Sequence, residues 1–137
     1  MSDLVETDAV IIGAGPVGLF AVFQLGLVDI RAHVIDIQDK PGGQCAELYP
    51  EKPIYDIPAL PYVTGQELVD RLMQQIKPFK TGYHLGEMVT ELTRRPDGSF
   101  IVATDLGTRI GAKIVVIAAG GGSFQPKKPP IPGIDAY

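Results

Sequence analysis

Residues 9–23 read AVIIGAGPVGLFAVF, an apolar run that breaks into Gly13, Gly15 and Gly18 in a G-x-G-x-x-G frame. Residues 9–12 are apolar and β-prone, as in a strand buried on both faces of a parallel sheet. Gly13 permits a sharp turn out of that strand, and Gly15 lets the backbone approach a pyrophosphate with no Cβ in the way. Gly18 lets the next helix, expected over residues 17–27, pack closely on the sheet. The N-terminus of that helix offers free N–H groups and the positive end of a dipole to phosphates. Pro16 falls at its start, where a missing N–H is harmless. The following strand, AHVID, ends on Asp36, at roughly the 20-residue spacing expected of a ribose-binding acid. A carboxylate there accepts hydrogen bonds from both ribose hydroxyls and repels a 2′-phosphate. The pattern points to the adenosine diphosphate half of FAD or NAD rather than NADP, and the second glycine pair, in KPGGQ, tilts the reading to FAD.

Composition narrows the alternatives. The apolar stretch over residues 9–30 is interrupted by three glycines and a proline and preceded by the acidic MSDLVETD, which argues against a membrane or signal segment. In 137 residues there is room for one domain with a real core, not for two full nucleotide domains. A net charge of −4 argues against nucleic-acid binding. Arg94-Arg95 and Lys127-Lys128 read as solvated pairs in a turn and a tail. The single cysteine, Cys45, excludes an internal disulfide and suits a reducing compartment, with the cytoplasm the expected location. It reads as a small buried apolar residue. His33 and His84 have no carboxylate or cysteine at ligand spacing, so structural or surface roles are expected, with no metal site and no hydrolytic triad.

The rest of the chain divides readily. Residues 38–63 hold too many prolines for regular structure, and an irregular connection that long is often functional. A helix is expected over 65–77, with Thr64 and Glu67 as a capping box and Leu68, Leu72, Met73 and Ile76 as its buried stripe; Pro78 ends it. Residues 83–85 suit another parallel strand. Three strands over 87–95, 99–104 and 109–117 follow, joined by turns at Pro96-Asp97-Gly98 and Leu106-Gly107. The last becomes continuously apolar from Ile114, as if leaving an antiparallel layer for the central sheet. Gly120-Gly121-Gly122 reads either as backbone passing close to a cofactor or as a flexible linker. The fold class is α/β: a Rossmann-like FAD-binding domain with a central parallel sheet, helices and a three-stranded antiparallel β-meander. It is expected to fill residues 1–125, with the proline-rich 126–137 a connection toward a domain outside this sequence.

GAGPVG, VID, PGGQ and VVIAAGG, in that order, resemble the N-terminal part of the two-dinucleotide-domain flavoproteins. Within them, GGQCAELYPEKPIYDIPALPYVTGQELVDRLMQQIKPF is similar to ferredoxin–NADP⁺ reductases of the thioredoxin-reductase-like type, and LYPEKPIYD is its most specific portion. The resemblance implies FAD as cofactor, NADPH as co-substrate bound in a domain not in this chain, ferredoxin or a similar small carrier as partner, and a homodimeric parent enzyme. It also implies that this chain is the first part of that architecture and inactive alone. Residue by residue, it gives Asp36 to the adenosine ribose, Gln44 to a contact with FAD, and Tyr49 to stacking on the isoalloxazine ring. Val89 would place backbone against the adenine and Phe124 would also touch FAD; on the residues alone, Val89 reads as core and Phe124 as a lid over the domain edge. No catalytic side chain is expected, because the flavin carries the chemistry. Two rival readings are a thioredoxin-type disulfide reductase and a non-catalytic FAD- or NAD-binding module.

Overall fold

The computed structural model describes residues 3–123 and 129–134, so Phe124, Lys127-Lys128 and much of the expected connection lie outside the described residues. Its elements are β1 (Leu4–Ile12), α1 (Pro16–Gly26), β2 (Ala32–Asp36), α2 (Gly43–Glu47), β3 (Pro53–Ile54), β4 (Val63–Thr64), α3 (Gly65–Ile76), β5 (Gly82–Leu85), β6 (Val89–Arg94), β7 (Phe100–Thr104) and β8 (Arg109–Ile117). Six strands form one sheet in the order β5-β2-β1-β8-β7-β6. β5, β2, β1 and β8 run parallel, whereas β6, β7 and β8 pair antiparallel.

β8 joins the two halves. It pairs with β1 along its whole length, from Leu4↔Arg109 to Ile12↔Ile117. Its first residues pair simultaneously with β7, up to Phe100↔Ala112. The strand therefore does not leave one layer for another, as its sequence suggests, but belongs to both at once. For the same reason β1 starts at Leu4, ahead of the apolar run: its polar first half, including Glu6 and Thr7, is paired with residues 109–112 of β8. Glu6 also accepts two hydrogen bonds from Arg95, at 2.6 and 3.0 Å, which tie the start of β1 to the β6–β7 turn.

One face of the sheet is covered by α1 and α3. Ala9, Ile11, Leu19, Val22 and Val34 are buried there with Leu68, Val69, Leu72 and Ile76. Val69 joins the expected stripe of α3, while Met73 sits at its margin. The capping box forms as expected: Thr64 Oγ1 accepts from the Glu67 N–H at 3.2 Å, and Glu67 accepts from the Thr64 N–H at 2.9 Å. A smaller cluster of Val10, Ile35, Val102, Ile110 and Ala112 gives the meander its own core.

The stretch over residues 38–63 departs from expectation by containing α2 and the β3–β4 hairpin. Glycines hide the helix: Gly42 and Gly43 take φ of 127° and 58°, which residues with side chains rarely adopt, and then start it. Pro53 is tolerated because a two-residue hairpin strand needs few ladder bonds.

The Thr64 cap anchors α3, which in turn buries the face of β1 and β2 that positions the glycine turn. Thr64→Ala is expected to destabilise the chain by about 1 kcal/mol. Urea unfolding should show a lower midpoint with an unchanged slope.

Candidate functional site

At the carboxyl ends of β1, β2 and β8 the chain surrounds an open cavity of about 610 Å³. This is where open α/β sheets bind ligands. The glycine turn forms its floor. Gly13 has a φ of 113°, and a side chain there would run into the carbonyl of Ala118. A side chain at Gly18 would run into the carbonyl of Gly13. Gly18 therefore packs the helix onto the turn and does not line the cavity. Gly15 differs: the space its side chain would fill is open as far as Gly43 Cα, 3.9 Å away. Gly43 faces it in turn, since its own side chain would press on Gly15 Cα at 3.1 Å.

α1 starts at Pro16 with Gly15 as its N-cap, and no side chain caps it. Its first N–H groups have no acceptor within the helix, so they are available to an anion in the cavity. Three backbone bonds hold the turn in place. The Gly13 N–H donates to the Ile35 carbonyl at 2.8 Å, the Ala118 N–H to the Ile12 carbonyl at 2.8 Å, and the Gly42 N–H to the Ala14 carbonyl at 2.8 Å.

Asp36 lies at the rim and is already engaged. Its Oδ2 accepts from the Ala14 N–H at 2.6 Å and its Oδ1 from the Gln38 N–H at 2.8 Å. The carboxylate thus fastens the glycine turn to the end of β2, and each oxygen keeps a further acceptor site for a hydroxyl.

α2 and the residues after it supply the opposite wall, with Gln44, Cys45, Glu47, Leu48 and Tyr49 all on the cavity. The Gln44 side chain is exposed and reaches Gly121, where a Cβ would lie 3.3 Å from its amide nitrogen. Cys45 is half-buried and borders the cavity, more accessible than its sequence context suggests. Four residues on, the electrostatic influence of Cys45 first, and burial second, disfavour the Tyr49 phenolate and raise its pKa. Lys52 Nζ sits 5.2 Å from the centroid of the Tyr49 ring, a cation–π contact.

Gly120, Gly121 and Gly122 line the side beyond β8, with positive φ at Gly120 and Gly122. The remaining wall comes from Glu87 and Met88, between β5 and β6, and from Val89, which starts β6.

The structure therefore brings Gly13, Gly15, Pro16, Asp36, Gln44, Tyr49 and Val89 to one cavity, with Gly18 packed behind it and Phe124 outside the described residues. Val89 borders the cavity and also packs against the meander core, as the reading from the residues alone expected. Glu87 and Met88 carry no local sequence signal; the β5–β6 connection folds them in. Gly43 did carry one, the second glycine of KPGGQ.

Among the described residues, no cluster of three or more His, Cys, Asp or Glu could hold a metal ion. Among the same residues, no helix is long and apolar enough to cross a membrane. A dinucleotide fits the groups that are present: an anion-binding helix start, a cradle that side chains would fill, and a carboxylate with acceptor sites left over.

The sequence profile of the NAD(P)-binding Rossmann-like domain matches residues 11–92. A ferredoxin–NADP reductase of Bradyrhizobium sp. (strain ORS 278) is 67% identical over all 137 residues, and the chain spans 40% of that protein's length. The structure of a cyclohexanone monooxygenase from Rhodococcus sp. Phi1 bound to NADP⁺ superposes with a TM-score of 0.77 at 26% identity, covering 98% of this chain and 29% of that one. A thioredoxin reductase of Lactococcus lactis, at 23% identity and a TM-score of 0.75, covers 96% of this chain and 40% of its own and shares the fold.

Replacing Asp36 by Asn would turn an NH₂ group toward one of two backbone N–H donors. Asp36→Asn is expected to destabilise the chain by about 1–3 kcal/mol and to weaken adenosine-nucleotide binding. Chemical unfolding and calorimetric titration with ADP should show both losses together.

Proposed function

This chain belongs to the NAD(P)-binding Rossmann-like domain family, and we propose that it is the FAD-binding portion of a flavin oxidoreductase that moves electrons between NADPH and ferredoxin. The observation that carries this reading is the 67% identity, along every residue, to a protein named ferredoxin–NADP reductase. The motifs from GAGPVG to LYPEKPIYD resemble the same group.

In this reading the N–H groups of the first turn of α1, reached across Gly13 and Gly15, hold the diphosphate. The free acceptor sites of Asp36 take the ribose hydroxyls and exclude a 2′-phosphate, which sends NADPH to another domain. Val89 borders the adenine, while Gln44 and Tyr49 lie along the flavin half. Phe124 would add a contact there. Bound FAD would supply the exchange between hydride and single electrons. The chain's own residues then bind, orient and shield it, and none need move a proton.

Residues 1–125 form the domain, and 126–137 lead toward the NADPH-binding one. The parent enzyme works in the cytoplasm as a homodimer and meets ferredoxin or a similar small carrier. A thioredoxin-type reductase shares this fold; what favours the ferredoxin reading over it is the 67% identity along every residue of this chain.

A visible absorption spectrum of the purified chain, with chromatography of what denaturation releases, tests the proposal. A yellow chain that releases FAD is the expected result. A chain that takes up NADH but not added FAD would overturn it.

A further inference from the structure

The chain's two histidines touch each other across the edge strand β5 and its neighbour β2. His33 Nδ1 lies 2.9 Å from His84 Nε2. The rings stack with centroids 5.2 Å apart and planes inclined by 21°. The backbone makes room for this contact: His33 is in register with Gly82 of β5, and any side chain at Gly82 would strike the His33 ring. On its far side, His84 Nδ1 lies 4.0 Å from Glu87 Oε1, with only 19% and 14% of the two side chains exposed. Glu87 Oε2 accepts a hydrogen bond from the Thr104 hydroxyl at 2.7 Å.

Glu87 also borders the cavity. Its backbone N–H donates to the carbonyl of Asp36 at 3.0 Å, and the neighbouring Gly86 N–H donates to Gln38 at 2.8 Å. A continuous line of contacts therefore runs from His33 to the wall that carries Asp36 and Val89.

The position of the protons follows from the contacts. A nitrogen–nitrogen contact this short holds one proton. Placed on His84 Nε2 of a neutral ring, that proton would leave a bare Nδ1 lone pair facing a carboxylate. Placed on His33 Nδ1, it lets His84 keep its hydrogen on Nδ1, toward Glu87. The Glu87 carboxylate, 4.0 Å from His84 Nδ1, favours the second arrangement electrostatically, which leaves His33 Nε2 as the ring nitrogen open to an added proton. Burial first, and His84 second, hold the pKa of His33 below the usual histidine value.

Other charged groups lie in β1 and at the ends of β2 and β5. Asp8 of β1 accepts from the Arg31 N–H, Arg31 precedes β2, Lys80 precedes β5 and Asp36 ends β2. Tyr83 lies between Gly82 and His84 on β5, where the pleat turns it to the opposite face. β7 contributes the uncharged Thr104.

We propose that the line His33–His84–Glu87–Thr104 positions the Glu87–Val89 wall of the nucleotide site, and that one proton taken up at His33 loosens the site's hold on its adenosine end. The inference rests on the reading of the cavity as an FAD site. A charge on the partly buried pair must draw Glu87 in from 4.0 Å or admit water, and either displaces the segment bonded to the Asp36 carbonyl.

With only two histidines in the chain, nuclear magnetic resonance can follow both rings directly. Between pH 7.5 and 5, the amide signals of Glu87, Met88 and Val89 in the nucleotide-free chain should shift with the midpoint of the His33 ring. Calorimetric affinity for FAD should fall about three- to tenfold over the same interval. His33→Gln keeps a donor for His84 Nε2 but cannot take the proton, so both responses should flatten. Glu87→Gln removes the compensating charge and should move the ring midpoint to lower pH. Amide signals indifferent to the ring titration would overturn the proposal, as would an FAD affinity whose pH dependence survives His33→Gln. A chain that binds no FAD at any pH would sink the FAD reading and the affinity half with it, while the amide titration still decides the positioning half.

Discussion

The structure depends on one crowded crossing of backbones. The Gly13 turn lies against the Ala118 carbonyl, the start of α1 lies against the Gly13 carbonyl, and the Gly42–Gly43 segment closes over Gly15. Interiors packed this tightly leave no slack, so each meeting point is a residue without a Cβ. The crossing brings the ends of β1, β2 and β8 and the start of α1 to one place, and the cavity is what remains open above it. Fold and site are here the same constraint. A side chain at Gly13 or Gly18 would break the packing, whereas one at Gly15 would mostly fill open cavity.

Asp36 adds the electrostatic part. Its carboxylate holds the N–H groups of Ala14 and Gln38, so the turn and the end of β2 cannot drift apart without stripping two charge-assisted hydrogen bonds. On the proposed function, the same negative charge would take ribose hydroxyls and turn away a 2′-phosphate. The meander then supplies the remaining wall. The two pieces stay in register because β8 is hydrogen-bonded to β1 and β7 together and because Arg95 clamps Glu6.

Much of this could be read from residues alone, where local patterns decide the outcome. The glycine frame, the apolar residues of β1, the AHVID strand and the Thr64–Glu67 box are each self-contained, and the elements formed within a few residues of expectation. The stretch over 38–63 was harder, because the positive φ values of Gly42 and Gly43 arise from tertiary contact with Ala46, Val69 and Gly15. Dense glycine and proline read as an irregular connection, whereas the two glycines are the means of building α2 against the turn. Glu87, Met88 and the histidine pair were not readable at all. Their places depend on pairing between residues more than fifty positions apart, such as His33 with His84, and no spacing in one sequence marks such a meeting. Cys45 shows the same limit: its neighbours suggest burial, and only the fold leaves it on a cavity wall.

On the proposed function, this chain builds a site for the adenosine diphosphate half of FAD, with the Gln44–Tyr49 segment extending it toward the flavin. Calorimetric titration of the chain at pH 7.5 with FAD, ADP and FMN tests it most directly. We predict that ADP binds, that FAD binds more tightly, and that FMN, which lacks the adenosine half, binds weakly or not at all. FMN binding as tightly as FAD, or a complete indifference to ADP, would contradict it.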